Sequence, residues 1–139
     1  MDLPDLAATR SLARRTAAVL PRGQLLVVSG PLGAGKTTFV AELAAALGSA
    51  ADVTSPTYTL VHEYPTPAGP LVHVDAYRLD ASVDLAAALD LEGYLERARA
   101  VVVEWGDRLL ASHPEAWQLC LAREGERRSA RWAPGRGPA

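Results

Sequence analysis

Lysine is nearly missing from this chain. Of its fourteen Lys and Arg residues, thirteen are arginine, and the single lysine is Lys36. Cysteine occurs once, at Cys120, which excludes an intrachain disulfide and a zinc cluster built from several cysteines. His62, His73 and His113 have neither H-x-x-x-H spacing nor a cysteine nearby in a ligand pattern, so no zinc site is expected. No apolar run approaches the roughly 20 residues that a membrane-spanning helix needs. The opening stretch MDLPDLAATR carries acids early with no apolar run behind it, unlike a secretory leader. A cytoplasmic location is the resulting expectation. Neither an internal repeat nor a second hydrophobic core stands out.

What is present fits one folded unit. With 139 residues, the chain can bury enough surface to fold without staples. Hydrophobic residues at 49% and charged residues at 22% match an ordinary globular domain. Residues 1–133 read as that domain, and 134–139 (PGRGPA) as a flexible tail. The net charge of -2 argues against a strong polyanion binder, but the charge is uneven. Eight acids and three arginines lie between Asp75 and Asp107, a net of -5; five arginines and two glutamates follow from Cys120 onward, a net of +3. Such runs are ordinarily solvated surface, with one acidic and one basic docking face as the alternative.

Periodicity supplies a coarse map. Asp5 to Leu20 has apolar residues at helical spacing, and Pro21-Arg22-Gly23 ends it. QLLVVS, Gln24 to Ser29, suits a strand buried on both faces. A glycine-rich loop follows, then a helix over Thr37 to Leu47 stopped by Gly48. Thr57 to Tyr64 and Leu71 to Ala76 read as strands, and the short Pro/Gly turn between them predicts an antiparallel hairpin. Asp84 to Leu95 reads as one helix or two short ones, and Ala100 to Trp105 as an apolar strand. Trp117 to Ala122 and Ser129 to Trp132 read as short edge strands. With the glycine-rich run Gly30-Pro31-Leu32-Gly33-Ala34-Gly35-Lys36-Thr37, which fits G-x-x-x-x-G-K-[ST], set between the Gln24 to Ser29 strand and the helix that follows, the expected fold is α/β: a P-loop NTPase-like three-layer sandwich with a mixed, mainly parallel sheet and an antiparallel hairpin.

The loop is GPLGAGKTT, Gly30 to Thr38, and it satisfies G-x-x-x-x-G-K-[ST] at every fixed position. Gly30, Gly33 and Gly35 let the backbone curl so that N–H groups converge on phosphate oxygens, with Leu32 and Ala34 on the same loop. The helix that starts there adds its positive end. Lys36 would place an ammonium on the β- and γ-phosphates, and the Thr37 hydroxyl would ligate magnesium. A guanidinium is flat and built for a fork, whereas a tight loop needs a point charge on a flexible stem. That explains why one lysine persists in an arginine-rich chain. A chance match is expected about once in two hundred chains of this length, and here the flanking strand and helix are also predicted.

Four further stretches carry a family resemblance: TSPTYTLVHEY (Thr54 to Tyr64), VHVDAYRL (Val72 to Leu79), LDLEGYL (Leu89 to Leu95) and VVVEWGDRL (Val101 to Leu109). With GPLGAGKTT, in this order and spacing, the chain resembles the TsaE family across roughly Asp5 to Arg131. These are small bacterial ATPases of tRNA threonylcarbamoyladenosine synthesis. The chain departs from the family at Gly106, where Pro usually follows Glu-Trp, and at Asp90, where Gly is common. The resemblance implies ATP and magnesium as cofactors, and TsaD-like and TsaB-like proteins as partners, with tRNA contacted indirectly. It implies weak hydrolysis alone and stimulation by those partners.

Asp75 closes an apolar strand, where a carboxylate needs a partner: magnesium, a magnesium-bound water, or a salt bridge to Arg78. Glu104 ends VVVE, a buried strand presenting one acid to metal or attacking water. Asp75, Glu104 and Lys36 are the catalytic candidates, and Thr37, Asp75 and Glu104 the metal candidates; which acid binds magnesium directly is left open. Thr54, Ser55 and Thr57 are either a γ-phosphate-sensing switch or ordinary turn residues. Thr9 is placed loosely beside the adenine, and Thr38 beside the phosphates. Trp105, by strand alternation, points to the face opposite Glu104. Arg78, Arg123, Arg127, Arg128 and Arg131 are candidates for phosphate, tRNA or partner contact. A free-standing small-molecule kinase is the alternative function. A GTPase-like switch is disfavoured, because its N-K-x-D reader needs a second lysine.

Overall fold

The structure is a computed structural model describing residues 1–51 and 60–138. Thr54, Ser55 and Thr57, and the start of the strand expected from Thr57, lie outside the described residues.

The chain begins with α1, Leu6–Val19, capped by Asp5, whose carboxylate accepts from the Ala8 N–H at 2.9 Å. Leu12, Ala13 and Thr16 form its buried stripe, and the Thr16 hydroxyl is satisfied by donating to the Leu12 carbonyl at 2.8 Å. Next come β1, Gln24–Ser29, and α2, Lys36–Ala46. β2, Val61–Tyr64, and β3, Leu71–Asp75, form the predicted antiparallel hairpin. The 84–95 segment is two helices, α3 (Leu85–Leu89) and α4 (Leu91–Arg97). They break at Asp90, whose φ of 51° is left-handed. Aspartate is among the few L-residues that tolerate that region, and glycine would fit it without strain.

β4, Ala100–Glu104, leads through a short 3₁₀ turn, Asp107–Leu109, to β5 (Trp117–Glu124) and β6 (Arg127–Trp132). The six described strands make one mixed sheet in the order β2-β3-β4-β1-β5-β6. β3, β4, β1 and β5 run parallel, and each outer hairpin adds an antiparallel strand. β5 is therefore interior, not an edge: it pairs parallel with β1 and antiparallel with β6. The outer side of β6 is met by the first residues, with Leu3 N–H donating to the Arg128 carbonyl and Ala130 N–H to the Met1 carbonyl, both 2.9 Å. That pairing protects an exposed edge.

Helices cover both faces. α1 and α2 pack on the side presenting Leu26, Val28, Val102 and Leu119, with Phe39 and Leu43 fully buried. α3, α4 and the 3₁₀ turn pack on Leu25, Val72, Val74, Val101 and Val103. The stretch expected to be a loose tail is tied down. Gln118 N–H donates to the Arg136 carbonyl at 2.9 Å. The Arg136 guanidinium donates to the carbonyls of Leu110 and Ala116 at 3.0 Å and of His113 at 3.1 Å. Among the described residues no helix is long and apolar enough to cross a membrane.

Candidate functional site

β1 ends at Ser29, and the chain turns through Gly30 to Gly35 into α2. Gly30 has φ 151°, and a Cβ there would sit 2.5 Å from the Leu121 carbonyl oxygen, so only glycine fits. Gly33 and Gly35 have φ of 79° and 100°. Gly35 caps α2 with no side-chain hydrogen bond, and the first turn holds no acid. Among the described residues, the first N–H groups of α2 therefore have no side-chain cap and are open to an anion.

Lys36 is 5% exposed. Its Nζ donates to the carbonyls of Gly30 at 2.7 Å and Pro31 at 2.8 Å, and stands 4.3 Å from the Trp105 ring centre. Burial pulls its pKa below the usual lysine value; the Glu104, Asp75 and Asp107 carboxylates pull the other way without fully compensating.

The parallel register aligns Asp75 with Glu104 at the ends of β3 and β4. Neighbouring residues in register share a face, so the two carboxylates stand side by side. Glu104 is buried, 3% exposed. The Thr37 hydroxyl lies 3.2 Å from each of its carboxylate oxygens, and His73 Nε2 lies 2.5 Å from Oε2. An Asp75 oxygen accepts the Tyr77 N–H at 3.0 Å.

Thr37, Glu104 and Asp75 offer hard oxygen donors of the kind magnesium takes. Cis ligands on an octahedral magnesium are about 3 Å apart, close to the Thr37–Glu104 separation. Among the described residues no three acidic, histidine or cysteine side chains form a metal-holding group. The donor set, a hydroxyl and two carboxylates, fits a hard divalent cation such as magnesium.

A cleft of about 420 Å³ opens over these groups. It brings together Thr9, Leu32, Gly33, Ala34, Gly35, Lys36, Thr37, Thr38, Asp75 and Glu104, all anticipated from sequence. Gly30 lies behind it, lining an adjoining cleft of about 410 Å³ with Ser29, Pro31, Trp105, Asp107 and Arg108.

Trp105 lines both clefts. It was expected on the face opposite Glu104, but β4 stops at Glu104 and Trp105 takes φ 61°, so alternation no longer governs it. A bulky residue in the left-handed region carries strain. The turn lays the indole over Lys36 and against the Tyr77 ring, centres 4.9 Å apart. Gly106 follows with φ -102°, away from proline's preferred value, and a Cβ there would lie 2.5 Å from Val103 Cγ1. Glycine suits this form of the turn.

Two contributors, His73 and Asp107, escaped the sequence reading, and a third, Arg128, was named there only as one of several arginines. His73, one strand period before Asp75, is fully buried against Glu104. Asp107 accepts the Ser29 hydroxyl at 2.7 Å, and Gln118 donates to the same hydroxyl at 3.1 Å. Arg128, named from sequence among the arginine candidates for phosphate, tRNA or partner contact, lines the main cleft and donates from Nε to the Gly33 carbonyl at 3.2 Å. Its antiparallel partner is Arg123. The signal for His73 was a polar residue in the register of a buried face; for Arg128 it was an arginine pair across a tight hairpin.

The sequence profile described as "Threonylcarbamoyl adenosine biosynthesis protein TsaE" matches residues 3–131. The chain is 46% identical over 100 residues to the tRNA threonylcarbamoyladenosine biosynthesis protein TsaE of Streptomyces coelicolor, covering 70% of this chain and 67% of that one. It is 37% identical to the Bacillus subtilis protein of the same name, covering 85% and 73%, and 40% identical to that of Mycobacterium bovis, covering 96% and 86%. The crystal structure of Bacillus subtilis YdiB is similar with a TM-score of 0.72 at 29% identity, covering 95% of this chain and 82% of that one.

Proposed function

This chain belongs to the TsaE family of threonylcarbamoyladenosine biosynthesis proteins, and on that premise we propose that it binds ATP with magnesium and hydrolyses it to drive or reset a partner complex. The partners would be TsaD-like and TsaB-like proteins, with tRNA contacted through them. The observation that carries this reading is the junction of the uncapped α2 N-terminus, the Lys36 ammonium and the Thr37–Glu104 contact in one cleft.

The residues divide the work. The N–H groups of the 30–37 loop and Lys36 would hold the β- and γ-phosphates, while Thr9 and Leu32 wall the cleft toward the base. Thr37 with Glu104 or Asp75 would hold magnesium, which supplies charge neutralisation across the phosphates. The other carboxylate would orient water. The water oxygen forms the new bond to the γ-phosphorus as the bond to the bridging oxygen breaks, leaving ADP and phosphate, and the released proton passes to that carboxylate or to solvent. Thr54, Ser55 and Thr57 remain proposed as the segment that senses the γ-phosphate.

A second reading, a small-molecule kinase, draws support from the adjoining cleft beside Gly30 and Pro31, which has room for an acceptor. Hydrolysis assays separate the two. The ATPase reading expects slow turnover alone, stimulation by the partner proteins, and loss in both Lys36→Ala and Glu104→Ala. ATP binding without partner stimulation, and turnover only with a small acceptor, would favour the kinase.

A further inference from the structure

We propose that His73 is a positioning residue for Glu104. The helix-covered face of β3 runs Leu71, His73, Asp75, and the corresponding face of β4 runs Ala100, Val102, Glu104. An apolar residue would complete that packing at position 73. Instead a fully buried imidazole stands there, with Nε2 at 2.5 Å from Glu104 Oε2. Its Nδ1 is buried with no hydrogen-bond partner among the described residues. A carboxylate can only accept, so the hydrogen belongs on Nε2, and a bare Nδ1 leaves no buried N–H unanswered. Among the described residues the ring thus has one hydrogen bond, and it goes to Glu104.

This contact decides where the carboxylate points. Oε2 is held from the sheet side by His73, while Thr37 approaches from α2 at 3.2 Å. The group is clamped between a strand and the helix that follows the glycine-rich loop, with the Thr37 hydroxyl in reach of both Oε1 and Oε2. His73 itself is not among the cleft-lining residues. It acts through Glu104, as a hydrogen-bonded support holds a metal-facing or water-facing acid in one orientation.

The activity arm rests on the ATPase reading; the spectroscopic arm does not. His73→Leu keeps the bulk and removes the donor, whereas His73→Gln restores an N–H at similar reach. In partner-stimulated hydrolysis, His73→Leu should lower kcat by about 30-fold with the ATP Kd within about threefold, and His73→Gln should recover most of it. In a Glu104→Gln background, His73→Leu should change kcat little further. In ¹⁵N-labelled wild-type protein, His73 should show a protonated Nε2 and a bare Nδ1, and Glu104→Gln should shift the Nε2–H resonance. Equal loss in the Leu and Gln variants, additive loss with Glu104→Gln, or an Nε2–H signal indifferent to Glu104 would each overturn the assignment. Wild-type protein that never hydrolyses ATP would defeat the ATPase reading instead, and the resonance would still decide the role of His73.

Discussion

The four parallel strands have two unlike ends. Toward their amino halves they present Leu25, Leu26, Val27, Leu71, Val72, Val101 and Val102, each no more than 1% exposed. At their carboxyl ends stand Ser29, Asp75 and Glu104, followed at once by Gly30 with φ 151° and Trp105 with φ 61°. One half is dense apolar packing in relaxed strand geometry. The other holds a buried lysine, a buried glutamate and two positive-φ turns around two adjoining clefts. Stability resides in the first half and chemistry in the second, and the difference yields a rule: substitutions should lose one property or the other according to which end they strike.

The largest effect expected is on activity. Lys36→Ala removes the ammonium from the proposed phosphate site and should lower partner-stimulated hydrolysis about 10³-fold, in the range seen when one preorganised charge-stabilising group is lost. Its thermal unfolding should move by only a few degrees, because the ammonium is held at a desolvation cost. Leu26→Ala, at a fully buried position of β1, should do the reverse. It should cost about 2–5 kcal/mol of stability, measured by urea unfolding, while hydrolysis per folded molecule stays near wild type. Comparable losses of both properties in either variant would erase the division between the two ends.

Sequence made the chemical end more legible than its geometry. GPLGAGKTT declares itself because each constraint is local, and Gln24–Ser29 was readable as the doubly buried strand that precedes it. Register is not local. Nothing within Trp117–Glu124 tells that β1 lies alongside it, so β5 read as an edge. Nothing before Trp105 signals the left-handed φ that ends strand alternation. His73 entered the sequence reading only as a histidine without zinc-ligand spacing, because its partner Glu104 lies 31 residues later. The tail misled for the same reason, since the carbonyls that receive Arg136 lie 20 to 26 residues upstream.

Arg136 tests whether that docking supports the apolar half. Its guanidinium spans the Leu110 to Ala116 connection that delivers β5 to the sheet. Arg136→Ala should destabilise by about 1–2 kcal/mol, because several partly buried carbonyls lose a charged donor together. Its hydrolysis should be unaffected. An unchanged urea midpoint would mean that the tail only lies against the surface.

The smallest effect is a pH dependence at the chemical end. In the unfolded chain Lys36 is solvated and keeps its proton up to the usual 10.5; in the fold, burial lowers that value. Between the two values the unfolded chain binds more protons, so this group's contribution to stability rises with pH. Below the folded value both states are charged and the full penalty is present; above 10.5 neither is, and the penalty is gone. Lys36→Met removes the titration and keeps most of the stem. Met also gives up the hydrogen bonds to Gly30 and Pro31, so the readout is the trend with pH rather than the absolute difference. Wild type should gain stability relative to Lys36→Met as pH climbs from neutral toward 10.5, followed by urea midpoints. Tyrosines titrate in the same range but are common to both proteins, and no second lysine is present to blur the comparison. A difference that stays flat with pH would mean that the ammonium is not held at a cost, and the carboxyl ends of the strands would then be no more strained than the core beneath them.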